Sequence, residues 1–213
     1  MSQVAISGNA SGTGTLTIAA PNTNSNYTLT LPAETGTVIT SATTTGINAT
    51  ALTTGTVPTA RLPAGSVVQV ATFQTGAVAT GTGTIPIDDT IPQITEGTEF
   101  MTLAITPTTT TSKLVINVCI QLDKNNGNTL TVALFQDSTA NAIASQFYGA
   151  LGSGISMPLT FTHSMTSGTT SSTTFRVRAG SEAAGTVTRN GRGGGRIDGG
   201  VAVSSITIYE VAT

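Results

Sequence analysis

A chain of 213 residues has room for one ordinary domain plus an extension, or for two small domains. Eight basic and ten acidic residues leave a net charge of −2, and charged residues make up only 8% of the chain, which argues against a general polyanion binder or a membrane-surface protein. The single cysteine, Cys119, excludes an intrachain disulfide, and no stretch approaches the ~18 uninterrupted apolar residues of a membrane span.

Roughly a fifth of the residues are threonine, so hydroxyls rather than charges supply the polarity. Threonine is β-branched and suits a pleated surface while keeping that surface wettable. Disorder usually pairs low hydrophobicity with high net charge, whereas 38% of this chain is apolar and its net charge is small. The composition therefore predicts an all-β protein with a neutral, hydroxyl-rich exterior. The opening MSQVAISGNASG lacks a basic region followed by an apolar run, so no secretory signal is expected.

From Met1 to about Thr40 the pattern predicts short strands. Thr15-Leu16-Thr17-Ile18 alternates, a turn cluster spans Pro21 to Asn26, and Tyr27 to Leu31 alternates again before Pro32 ends it. A third short strand is expected at Val38-Ile39. These strands carry too few large apolar side chains to offset the ordering cost of about 1–2 kcal/mol per residue. They become stable only when several copies bury them against one another. Ser41 to Ala64, with small residues and two prolines, reads as an extended connector.

At Gly65 the apolar density rises, which sets the expected domains at 1–64 and 65–213. Nine strands are predicted in the second: Ser66–Phe73, Phe100–Ile105, Lys113–Leu122, Leu130–Phe135, Ala142–Tyr148, Met157–Met165, Thr173–Ala179, Gly185–Arg189 and Ser204–Val211. In the clearest, KLVINVCIQL, Leu114, Ile116, Val118, Ile120 and Leu122 face one way, and Val115, Asn117, Cys119 and Gln121 the other. No segment reads as helix. The pattern predicts a Greek-key or jelly-roll sandwich.

Little supports catalysis. Cys119 and His163 fall on predicted strands with nothing to activate the thiol, and read as a buried cysteine and a half-buried histidine. One His and one Cys cannot build a protein-only zinc site in a single chain. Asp88 and Asp89 lie in loop-like sequence and read as solvated. The glycines of GALGSGIS precede no helix, so they are no phosphate loop. Neither cofactor nor metal is expected. TRNGRGGGRIDGG (Thr188–Gly200) stands out, with Arg189, Arg192 and Arg196 among six glycines. Glycine lets backbone approach a ligand, and arginine offers a fixed fork to carboxylates or phosphates. The loop is thus either a contact site for an acidic surface sugar or phosphate, or a mobile hairpin tip, with Arg176 and Arg178 pairing to acids such as Glu182. Arg189, Asn190, Arg192, Arg196 and Tyr148 are the candidate contact residues.

GTGTLTIAAPNTNSNYTLTLPAETGTVIT (Gly12–Thr40) resembles a repeat of bacteriophage tail-fibre and related virion proteins, and INATALTTGTVPTARLP (Ile47–Pro63) resembles the connector that often follows it. The strand count and the terminal ITIYEV strand are similar to trimeric jelly-roll tips of the tumour-necrosis-factor/C1q type. The resemblance implies an intertwined homotrimer: short N-terminal shaft strands, then a jelly-roll-like β-sandwich head. It implies a virion component made in the host cytoplasm, held to another virion protein by its N-terminal segment. Its head would bind a host surface glycan or protein without catalysis, nucleic-acid binding or membrane insertion. A capsid-attached fibre or decoration protein with a mainly structural role is the alternative.

Overall fold

Alternation at period two, carried by Val, Ile, Leu and Thr, dictates strands whose apolar faces must meet another sheet. The computed structural model describes residues 11–13, 24, 26, 61–126, 128–149, 152 and 154–213. By backbone packing the chain divides into two units, Met1–Thr54 and Gly55–Thr213, of which the second contains nearly all the described residues. The expected N-terminal strands and most of the connector lie outside the described residues.

The strands are β1 (Val67–Thr75), β2 (Ala79–Gly81), β3 (Thr98–Ile105), β4 (Lys113–Lys124), β5 (Leu130–Gln136) and β6 (Ala144–Tyr148). After them come β7 (Met157–Thr166), β8 (Thr173–Ser181), β9 (Val187–Arg189), β10 (Gly191–Arg192), β11 (Gly195–Arg196) and β12 (Ser204–Val211). There is no α-helix among the described residues. All nine expected strands of the second region are present, most within two residues of their expected bounds.

One sheet runs β1-β12-β4, with β7 on the other edge of β4; the second runs β3-β8-β5-β6. All the pairings within these ladders are antiparallel. The chain passes back and forth between the two sheets, and this strand order is that of a jelly roll. Where β12 leaves β4 after Cys119, the short β9 takes the same edge at Leu122–Lys124 and carries β2 beyond it. Pro158, which has no N–H to give, sits in β7, an edge strand paired only with β4.

The core lies between the sheets. Leu114, Ile116, Val118, Ile120 and Leu122 of β4 meet Val132, Leu134, Phe175 and Val177 of the other sheet, with Ile206 and Ile208 alongside. A β-bulge between Glu99 and Met101 lets both Phe100 and Met101 bury their side chains, where strict alternation would expose one. A second, smaller cluster sits on the outside of the second sheet, where Ile85 covers Ala133 and Phe135, with Ile94 and Ala142 packed against them. That cover explains why VALF in β5 is apolar without interruption: both its faces are buried. The stretch around Ile85 reads as loop in the sequence, and irregular it is, but it is pressed against β8. A Cβ on Gly180 would stand 2.7 Å from the Gly83 carbonyl oxygen.

β4 is twelve residues long, roughly 40 Å at the usual strand rise, and runs the length of the sandwich. The chain enters at its Lys113 end. There the Gly65 N–H donates to the Ala212 carbonyl and the Ala212 N–H to that of Ser66, both at 2.8 Å. The Lys124 end is the far one. His163 is half-buried, as expected. Cys119 is not buried: it stands half-exposed on the outer face of the first sheet, opposite Ser205 and Thr160. Arg176 and Arg178 pair with Glu99 at 3.2 and 3.6 Å, not with Glu182. The register sets Glu99 directly opposite Arg178, whereas Glu182 lies beyond the end of β8.

Candidate functional site

The glycine loop is a hairpin folded back on the sheet rather than a free tip. Gly193 and Gly194, with φ of 56° and 83°, make the two-residue turn between β10 and β11. A turn with both central φ positive matches the twist of a hairpin, and glycine adopts it without strain. The Gly193 N–H donates to Asp123 Oδ2 at 2.8 Å and the Gly194 N–H to Thr188 Oγ1 at 3.0 Å. Asp123 and Thr188 face each other on β4 and β9, so the turn is fastened to the far end of the first sheet.

The five candidate contact residues separate by burial. Arg189 is 7% exposed and Asn190 fully buried, so neither is open to an outside molecule in this chain. Arg189 pairs in register with Leu122 and so points inward. Its Nη1 donates to the carbonyl of Phe100, which the bulge leaves outside the ladder, and its Nη2 to that of Ala77 at 3.1 Å. Its guanidinium also lies over the Phe100 ring, 6.0 Å from the centroid. Asn190 adopts a left-handed φ of 54°. Its amide donates to the Thr75 carbonyl at 2.7 Å and the Ala77 carbonyl at 3.3 Å, and accepts from Ser204 Oγ at 2.7 Å. Both are internal fasteners of the loop, which corrects the sequence expectation.

Arg192, Arg196 and Tyr148 remain accessible. Arg196 lies along Gly200, where a Cβ would stand 2.9 Å from its Cδ. Arg192 crosses to the loop before β7: a Cβ on Gly154 would stand 3.1 Å from its Nη2. The neighbouring Gly154 N–H donates to the Lys124 carbonyl at 2.9 Å. Arg192 thus reaches the terminus of β4, where β6 also ends at Tyr148, opposite Leu130. The structure brings Arg192 and Tyr148 to the same far end of the sandwich.

Two further residues complete that end and were not singled out from the sequence. Ile155 is exposed at 39%, beside Tyr148 at 36%, while Phe147, opposite Thr131, points to the other face of β6. Lys124 is 4% exposed and continues the inward register of β4. With Leu130, Tyr148, Ile155 and Met157 it lines a small cavity, and its amine is buried without a hydrogen-bond partner. Burial holds that amine below the ordinary lysine range, opposed by the Glu182 carboxylate. The signal for Lys124 was in the sequence: even-numbered positions from Leu114 onward are the core face, and the lysine falls on it.

The other notable surface is the outer face of the first sheet. Register sets Val70, Tyr209, Val115 and Ser164 in one row, Thr72, Thr207, Asn117 and Thr162 in the next, then Gln74, Ser205, Cys119 and Thr160. Lys113, level with Val211 and Thr166, is the one charged residue across these rows. Thr72 and Thr207 share a hydrogen bond at 3.0 Å, and Thr162 donates to Asn117 at 2.7 Å. The polar groups of this face are thus partly satisfied by one another.

Among solved structures, the chain is similar to Eiger TNF from S. frugiperda, at 9% identity over 67% of this chain and 92% of that one, with a TM-score of 0.42. It is also similar to the CBM36-1 domain of a multidomain xylanase from the hindgut metagenome of Trinervitermes trinervoides, at 13% identity over 66% and 96% of the two chains and a TM-score of 0.34. A third is the VP2 subviral particle of infectious bursal disease virus, at 14% identity over 70% of this chain and 39% of that one, with a TM-score of 0.33. No curated protein sequence matches the chain. Residues 82–213, which span the sandwich from just after β2 to the terminal strand, match the Pgp3 C-terminal domain family, and the chain belongs to that family.

Proposed function

We propose that this protein is a non-catalytic structural component that assembles as a homotrimer and presents the Lys124 end of its sandwich to a surface receptor. The outer face of the first sheet carries the proposal. Its rows hold one formal charge, an apolar stripe of Val70, Tyr209 and Val115, and threonines bonded to one another or to Asn117. Burying such a face removes little unpaired polar surface from water, and charge is what an interface core avoids. The number three, and a place on a phage particle held by the N-terminal segment, are what the resemblance of residues 12–63 to fibre repeats implies. The alternative within this reading is a capsid-attached decoration protein, for which the same face would serve structure alone.

On this reading the Lys124 end, opposite the end where Gly65 joins the sheet, is the one offered to the receptor. Three heads per fibre would raise avidity well above a single weak contact. Cys119 stands on the proposed interface and is the sole thiol, so it reports on assembly. Val70→Asp puts a carboxylate into the apolar row at a position 53% exposed in the single chain. The variant should fold, yet its Cys119 should react with a thiol reagent at least about tenfold faster than in the unaltered protein, the ratio for about 1.4 kcal/mol of lost assembly. Equal reactivity would remove this face as the interface.

A further inference from the structure

We propose that the Lys124 end of the sandwich is a carboxylate-binding site. The Lys124 amine takes the anionic group, while the ring or aliphatic body of the ligand rests on Tyr148 and Ile155, with Arg192 at the rim. This rests on the reading of that end as the binding end and gives it a ligand class.

Lys124 carries the argument. Its side chain is 4% exposed, and its Nζ has no hydrogen-bond partner. No ion pair forms to it among the described residues. An ammonium withdrawn from water without a partner costs several kcal/mol, so buried charges are ordinarily paired. The nearby acids do not supply the pairing. Asp123 lies on the opposite face of β4, with Oδ2 engaged by Gly193. Glu182 acts on the amine only at a distance. A donor held unpaired in an apolar recess is placed for an anion from outside.

The recess and its rim define the chemistry. The cavity lined by Leu130, Tyr148, Ile155 and Met157 has room for about one water-sized group, so a small anionic group enters while its bearer stays outside. A phosphate, with more charge and more acceptor oxygens, would need several donors converging on it; one amine offers too few. A carboxylate fits one amine. Its bearer then meets the Tyr148 ring and Ile155, both exposed, a surface for a ring face or an alkyl chain rather than a charged body. Arg192, exposed and held over Gly154, supplies a second positive charge near the mouth.

The chain has only two lysines, Lys113 and Lys124, at opposite ends of β4. The full-length protein labelled with carbon-13 at the lysine ε-position is titrated with phenylacetate and, separately, with its neutral amide. The expected result is a saturable shift of the Lys124 signal with phenylacetate alone, while Lys113 stays still. Arg192→Gln should weaken that response several-fold without moving the thermal midpoint. Lys124→Met, which keeps the volume and removes the charge, should abolish the binding heat in calorimetry. A silent Lys124, a parallel response of both lysines, or an equal response to the amide would overturn the proposal. The native mass of the same sample separates this from the assembly reading: a specific Lys124 response in a single-chain protein keeps the site and removes the trimer. A silent Lys124 in a three-chain protein does the reverse.

Discussion

Asn190→Ala should lower the unfolding free energy by about 3 kcal/mol, read from urea transitions at matched protein concentration. The fully buried amide ties three otherwise separate pieces of chain: the Thr75–Ala77 turn, the glycine hairpin and the start of β12. Its loss takes a donor from the Thr75 carbonyl and leaves the Ser204 O–H without its acceptor, that hydroxyl keeping only the bond it accepts from the Gln121 N–H, at about 1–3 kcal/mol for each buried bond left unmade. Alanine at a φ of 54° adds about 1 kcal/mol of backbone strain. Asn190→Gly separates the two causes: it relieves the strain and should recover about that 1 kcal/mol while leaving the bonds missing. A loss below 1 kcal/mol in the alanine variant would mean that the amide is not the fastener described.

Glu210→Ala should cost about 3 kcal/mol at neutral pH, since a hydrogen bond to a charged group contributes about 1.5–3 kcal/mol. Glu210 is fully buried near the Lys113 end, where its carboxylate accepts from the Thr108 N–H and Oγ1, each at 2.8 Å, and from Ser112 Oγ and Gln69 Nε2, each at 2.5 Å. It thereby organises the turn between β3 and β4. Burial raises its pKa, but the hydrogen bonds from Ser112, Gln69 and Thr108 outweigh burial and leave it below the ordinary glutamate value. A carboxylate depressed in the folded state contributes stability that is fully present above its unfolded pKa. That stability is lost as pH falls through the folded pKa. The deficit of the alanine variant should therefore be largest at neutral pH and shrink in the acid range below the ordinary glutamate value. A deficit independent of pH would assign the loss to packing rather than to the charge.

The strands were legible because their chemistry is local. KLVINVCIQL shows its inward and outward faces on inspection, and β12 was bounded to the residue. β2, β10 and β11 were missed because two- or three-residue strands carry no periodicity; they exist through partners distant in sequence. Ile85 was missed for a similar reason: nothing in GTGTIPI announces that it will cover Phe135. At the candidate site, arginines among glycines suggested a contact loop, yet Arg189 and Asn190 turned inward. Only the register of β9 with β4 and the bulge at Phe100 decide which arginine points out. Lys124 was visible by parity, but its unpaired amine depends on the loops that close over the end of the sandwich. The outer face of the first sheet was half legible: β4 alone shows Val115, Asn117 and Cys119 together. Its near absence of charge emerges only when four strands are set side by side.

The native mass of the full-length protein by light scattering tests the central claim, that this neutral face is where copies of the chain meet. A mass of three chains, falling to one chain in Val70→Asp with strand content unchanged, is the predicted result. A well-folded single chain across the accessible concentration range would contradict it.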